Sequence, residues 1–130
     1  MPPLRVLLVD DNARFLEAAA RFLSRESLSI VGQARSGAQA LEQVAQLQPD
    51  LVLIDVAMPG MSGLDATRLI KGQPNPPRVV ILTFHDNAEY RAVAQSAGAD
   101  GFVAKTDFGV QLLPLIETMF AKPERSPLVE

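Results

Sequence analysis

Asp10, Asp11, Asp55, Thr83 and Lys105 are the residues whose types and positions suit chemistry, and each stands at the end of a short apolar run. The acidic pair follows Leu4–Val9, Asp55 follows Leu51–Ile54, Thr83 follows Arg78–Leu82, and Lys105 follows Gly101–Ala104. Three carboxylates gathered in one place repel one another and raise each other's pKa unless a cation shares the site. An all-oxygen cluster of this size suits Mg²⁺, which takes one or two carboxylates and completes its shell with water and phosphate oxygens. Lys105 adds a positive point charge and Thr83 a hydroxyl. Mg²⁺, an ammonium and a hydroxyl around one carboxylate would stabilise a phosphoryl group in transfer. That carboxylate can itself be the nucleophile, which would give an aspartyl phosphate.

This chemistry requires residues far apart in sequence to converge, and a parallel sheet does that, because the carboxyl ends of its strands share one edge where ligands bind. The four runs are short, rich in β-branched residues and not alternating, as in strands covered on both faces. A fifth, weaker run, Leu28–Gly32, has the mixed character of an edge strand. Between the runs lie residues at helical spacing: Phe15, Leu16, Ala19, Phe22 and Leu23; Ala38, Leu41, Val44, Ala45 and Leu47; Leu64, Thr67 and Leu69; Ala88, Arg91, Ala92 and Gln95 with Val93 and Ala94; and Leu112, Leu115, Ile116 and Met119. Strand and helix alternate five times, which predicts right-handed βαβ units in a three-layer α/β domain.

Ser36, Ser62 and either Asp86 or Asn87 are placed to cap helix N-termini, and Gly72 and Gly98 sit where helices end. Gly109 and Pro114 conflict with a clean fifth helix, which is expected to start late or bend. The domain is expected to span residues 1–121, with 122–130, containing Pro123 and Pro127, as a linker or disordered tail.

The composition narrows the function classes. The length of 130 residues fits one domain, and 48% hydrophobic residues can build a core. Cysteine is absent, which excludes a disulfide framework, a thiolate metal site and a cysteine nucleophile. No secretion signal or run of ~20 apolar residues is present, so a soluble cytoplasmic protein without membrane contact is the expectation. Twelve Lys and Arg against fifteen Asp and Glu give a net charge of −3 without a basic face, which argues against nucleic-acid binding by this chain itself.

The chain resembles a receiver domain of a bacterial two-component response regulator. The resemblance covers residues 4 to about 121 and rests on Asp10-Asp11, on Asp55 within Leu51–Gly63 and its Met-Pro-Gly-Met-Ser-Gly loop, on Thr83, and on Phe102-Val103-Ala104-Lys105. It implies a flavodoxin-like (βα)5 fold with sheet order 2-1-3-4-5. It also implies that Asp55 accepts a phosphoryl group from a histidine kinase. Asp11, Asp55 and the backbone carbonyl of Ala57 would bind Mg²⁺ directly, with Asp10 acting through water. Lys105 would pair with phosphoryl oxygens, Thr83 would move to bond one of them, and Phe102 would turn inward as it moves. The protein would then be a switch rather than a substrate-processing enzyme. Thr83-Phe84-His85-Asp86, Gly98–Gly101 and Lys105-Thr106-Asp107 further resemble receivers joined to helix-turn-helix outputs of the LuxR and NarL type. DNA contact would require an output domain outside these residues; a stand-alone receiver acting by protein contact is the alternative, and a homodimer is a candidate assembly.

Each residue also has a plainer reading. An acidic pair after a strand is often a cap and a solvated neighbour, Thr83 a strand-end hydroxyl, and Phe102 simple core. His85 reads as an exposed loop residue beside the site mouth. Met58 and Met61 would close over the site or pack on the third helix. Lys105 is followed by Thr106 where most receivers have proline; a cis bond there would cost about 2.5 to 4 kcal/mol, and the isomer is left open by sequence. Ala57 is too small to screen a phosphoryl group on Asp55, so hydrolysis is expected not to be specially slowed. Two rivals use the same sheet edge. A haloacid-dehalogenase-type phosphatase with an aspartate nucleophile needs a second Asp where Asn12 stands, and a flavin module needs a phosphate loop after the first strand, which is missing.

Overall fold

The computed structural model describes residues 3–24, 26, 28–84 and 87–121. Five strands, β1 (Leu4–Val9), β2 (Leu28–Ala34), β3 (Leu51–Asp55), β4 (Arg78–Thr83) and β5 (Gly101–Ala104), alternate with helices α1 (Ala13–Leu23), α2 (Gly37–Leu47), α3 (Gly63–Lys71), α4 (Ala88–Ser96) and α5 (Phe108–Phe120). All strand pairs are parallel, in the order β2-β1-β3-β4-β5. This is the expected flavodoxin-like arrangement, with the weak second run at one edge.

Successive residues of the central strands feed opposite layers. Leu7, Val9, Val52, Ile54, Val79 and Ile81 face a core completed by Ala40 and Val44 of α2, Ala66 and Ile70 of α3 and Ala94 of α4. Val6, Leu8, Leu51, Leu53, Val80 and Leu82 face the other, completed by Leu16, Ala19 and Leu23 of α1 and Phe108, Leu112 and Ile116 of α5. Both faces are dry, so neither residue of an alternating pair can be polar. That is the physical reason the runs are continuously apolar.

Helix boundaries follow side-chain caps. Asn12 accepts hydrogen bonds from the Arg14 and Phe15 N–H groups, Ser36 from Gln39, Ser62 from Asp65, and Asn87 from Tyr90. Of the two candidates before α4, Asn87 is the cap, while Asp86 lies outside the described residues. The third helix corrects the sequence reading: it buries Gly63, Ala66, Thr67 and Ile70, whereas Leu69 is exposed. An i, i+3, i+4, i+7 stripe starting at Gly63 falls on those four residues and turns Leu69 outward. Helix α4 buries Ala94, and Val93 stands out toward solvent.

The late start expected for the fifth helix takes the form of a 3₁₀ turn, Lys105–Asp107, that runs directly into α5. Gly109 sits in the first turn of α5, and Pro114 lies inside a continuous helix. The carbonyl deprived of its partner by Pro114 belongs to Val110, an exposed position where water can satisfy it. No cis peptide bond occurs among the described residues, so Lys105–Thr106 is trans. The expected tail, residues 122–130, lies outside the described residues.

Candidate functional site

The carboxyl ends of β1, β3, β4 and β5 bring the five sequence candidates to one cleft. Asp10 directly follows β1, and its N–H donates to the Ala34 carbonyl at 3.0 Å. Asp55 is the last residue of β3 and pairs in register with Leu82, one residue before Thr83 at the end of β4. Thr83 in turn pairs with Ala104, which places Lys105 on the next residue as the chain enters its 3₁₀ turn. At this same edge the start of α3 approaches β3 closely: a Cβ at Gly63 would lie 2.0 Å from the Asp55 carbonyl oxygen. Any side chain at position 63 would displace the strand end that carries Asp55.

Asp10, Asp11, Asn12, Asp55, Ala57, Thr83, Phe84 and Lys105 line a cleft of about 200 Å³. Asp10, Asp55, Thr83 and Lys105 are buried, while Asp11 is partly open. Lys105 Nζ lies 2.6 Å from Asp10 Oδ2 and 3.2 Å from Asp55 Oδ1. The second Asp10 oxygen accepts the Asn12 N–H at 2.9 Å. Arg35 Nη2 donates to the Asp11 carbonyl at 3.1 Å and so ties the acidic loop to the start of α2.

Burial pushes the Asp55 carboxyl above the usual aspartate range, and the Asp10 carboxylate pushes it further. Lys105 opposes both through charge and hydrogen bonding, and Asp11 adds a smaller upward push. The cleft therefore holds more negative charge than its lysine balances. One oxygen from each of Asp10, Asp11 and Asp55 falls within 4.8 Å of the others. An all-oxygen donor set with surplus negative charge fits a hard divalent cation of the Mg²⁺ type.

The structure treats the remaining candidates differently. Ala57 lines the cleft and is exposed. Met58 is buried and Met61 partly buried in the core beneath α2, α3 and α4, so both pack rather than bind. Phe102 stays outside the cleft. It is partly buried beside that same core, in register with Ile81, with the Arg91 guanidinium 4.7 Å from its ring centroid. His85 lies outside the described residues. Asn12 has a role that reading by motif did not give it, joining the α1 cap to Asp10; its only sequence signal was its place just before a helix. The contact of Phe15 and Phe84 with Lys105 was also missed, because no local spacing links residues so far apart in sequence.

The response regulator receiver domain pattern matches residues 6–116 of this chain. The chain belongs to the receiver domain family. This receiver is 37% identical over 120 residues to the response regulator GacA of Pseudomonas aeruginosa, across 91% of this chain and 56% of that protein. It is 35% identical over 136 residues to protein-glutamate methylesterase/protein-glutamine glutaminase 5 of Myxococcus xanthus, across 96% of this chain and 39% of that protein. The receiver thus spans little more than half, or less, of these relatives. The signal receiver domain of NarL from Mycobacterium tuberculosis superposes with a TM-score of 0.83 at 31% identity, covering 94% of this chain and all of that one. No helix among the described residues is long and apolar enough to cross a membrane.

Proposed function

We propose that this receiver is a phosphorylation-controlled switch, that Asp55 accepts the phosphoryl group, and that a histidine kinase supplies it. The observation carrying this reading is a buried Asp55 carboxylate with Lys105 Nζ at 3.2 Å, inside a cleft walled by Asp10 and Asp11. An Asp55 oxygen attacks phosphorus, the new O–P bond forms as the N–P bond of the phosphohistidine breaks, and the imidazole nitrogen leaves with the electron pair. Asp11, Asp55 and the Ala57 carbonyl would hold Mg²⁺, with Asp10 acting through water. The ion would offset carboxylate charge and polarise the phosphoryl oxygens.

Lys105 then shifts its contact from Asp55 to a phosphoryl oxygen, and the Thr83 hydroxyl donates to another. Phosphorylation adds charge that only one arrangement of Lys105 and Thr83 satisfies, so it biases a pre-existing equilibrium. Phe102 is the readout. Its ring turns inward as Thr83 moves, giving up the Arg91 guanidinium and reshaping the surface of α4, β5 and α5. The resemblance to LuxR- and NarL-type receivers, and 33% identity over 119 residues to the transcriptional regulatory protein MctR of Rhizobium johnstonii, support a place in a DNA-binding transcription regulator, with DNA contact and any homodimer belonging to that larger protein. A stand-alone receiver acting by protein contact is the second reading. The domain would comprise residues 1–121, with 122–130 as linker.

Incubation with Mg²⁺ and a small phosphodonor, followed by intact mass measurement, tests the mechanism. One phosphoryl group should be gained, and the gain should disappear with EDTA and in Asp55→Asn. An undiminished gain in Asp55→Asn would refute the assignment.

A further inference from the structure

Lys105 has two kinds of neighbour. Besides the carboxylates of Asp10 and Asp55, its Nζ lies 4.5 Å from the ring centroid of Phe15 and 5.0 Å from that of Phe84. An ammonium within about 6 Å of a ring centroid is attracted by the negative face of the π system. The two rings come from separate parts of the chain: Phe15 from α1, and Phe84 from the residue after β4. Phe15 also meets Phe108 edge-on at 5.5 Å and so has a share in the core. Among the described residues Phe84 has no such ring partner. It lines the cleft yet is 65% exposed, an apolar ring left in water beside a cluster of charges.

We propose that Phe15 and Phe84 are positioning residues for Lys105, clamping its ammonium at the cleft while leaving its N–H groups free to change partners. The inference rests on the role given to Lys105 in phosphoryl transfer. A hydrogen bond is directional and commits a proton to one acceptor. Attraction to a ring face depends little on how the ammonium is rotated about its Cε–Nζ bond. The rings therefore hold the charge in place as its protons turn from Asp10 and Asp55 toward an arriving phosphoryl oxygen. Two more carboxylates or carbonyls in their place would hold the lysine equally well but compete with the phosphoryl group for the same protons. Phe84 also keeps water from one side of the ammonium, which strengthens every charge interaction it makes.

The test is the rate of phosphorylation by acetyl phosphate with Mg²⁺ in the wild type, Phe84→Leu and Phe84→Tyr. Leucine keeps an apolar cover without a π face, tyrosine keeps the face, and the exposed position makes both variants compatible with folding. Phe84→Leu should lower the limiting rate about two- to fivefold, with the half-saturating donor concentration unchanged, and Phe84→Tyr should match the wild type. Phe84→Leu at the wild-type rate, or Phe84→Tyr as slow as Phe84→Leu, overturns the proposal. An independent readout is the NMR position of the Lys105 ε-methylene protons in the unphosphorylated protein. Two ring faces should shift them upfield, and Phe84→Leu should move them part of the way back. Wild-type protein that takes up no phosphoryl group overturns the role of Asp55 instead, while absence of the upfield shift overturns the clamp whatever the kinetics.

Discussion

At one edge of the sheet a single carboxylate meets two cations; at the other a single cation meets two carboxylates of a cluster of three. Before β5, Asp100 accepts the Val79 N–H at 2.8 Å and Lys71 Nζ at 2.8 Å, with Arg78 Nη1 3.5 Å away. Nearby, Asp50 accepts the Arg5 N–H at 2.9 Å, and Lys71 also donates to the Pro77 carbonyl. Each of these charges has a partner of opposite sign or a backbone group, and the cluster ties α3, β4 and β5 together. At the carboxyl edge, among the described residues, Lys105 is the cation paired with Asp10 and Asp55, and Asp11 stands beside them without an ion pair to it. Repulsion is built into that second cluster, and a fold under no other demand would remove it. The same kinds of residue thus serve a brace at one end and an unsatisfied, cation-seeking centre at the other.

The contrast breaks most sharply at Lys105. In metal-free protein at neutral pH, Lys105→Met should lower unfolding stability by about 3 kcal/mol, because it leaves Asp10 buried without its cation. Mg²⁺ should stabilise both the variant and the wild type and restore part of that loss, since without the lysine's charge the carboxylates bind the cation more tightly. Urea titration with EDTA and with Mg²⁺ measures both. No stabilisation of either protein by Mg²⁺ would mean that the carboxylates do not share a cation site. Asp100→Ala should cost less, about 1–3 kcal/mol, from stranding the Val79 N–H and the Lys71 ammonium. Its deficit should be the same with and without Mg²⁺, and its phosphorylation rate should match the wild type. Asn12→Ala is expected to cost about 1 kcal/mol, the usual worth of an N-cap. Because Asn12 also donates its backbone N–H to Asp10, which alanine retains, Mg²⁺ binding should survive.

How far these two ends could be read from sequence differs for a physical reason. The carboxyl edge was legible because each of its residues follows a continuous apolar run, and a parallel sheet must gather the ends of such runs. The sheet order came from the family resemblance, and the five-fold alternation of strand and helix came from periodicity. The brace was invisible: Lys71 and Asp100 lie in a helix end and a loop, and nothing in their local context marks them as partners. The same limit hid the aromatic contacts of Lys105. Leu69 failed for a different reason. Leu64, Thr67 and Leu69 satisfy a loose helical spacing, but the stripe is set by Gly63, whose close approach to the Asp55 carbonyl decides which face of α3 turns inward. Pro114 was expected to disturb α5, and its effect is absorbed because the deprived carbonyl lies at an exposed position.

The smallest effect is also the most diagnostic of the surplus charge. Burial and the neighbouring carboxylates raise the Asp55 pKa in the folded protein above its unfolded value. A raised carboxyl binds its proton more tightly in the folded state, so its contribution to stability is complete below the unfolded pKa and is lost as pH rises through the folded one. At neutral pH an ionised Asp55 is therefore a liability in metal-free protein. Asp55→Asn, which keeps the shape and removes the charge, should be slightly more stable than the wild type there. Lowering the pH through the interval between the two pKa values should narrow the gap progressively and close it below the unfolded value, because the folded wild-type carboxyl takes up its proton first. Mg²⁺ at neutral pH should close it from the other direction, by stabilising the wild type more than a variant that has lost a ligand. Denaturation midpoints of the two proteins across that pH interval, with EDTA throughout, decide the point. A variant less stable than the wild type at neutral pH would show that the attraction of Asp55 to Lys105 outweighs its burial and the repulsion of Asp10 and Asp11, and the carboxyl edge would then be a brace like the other.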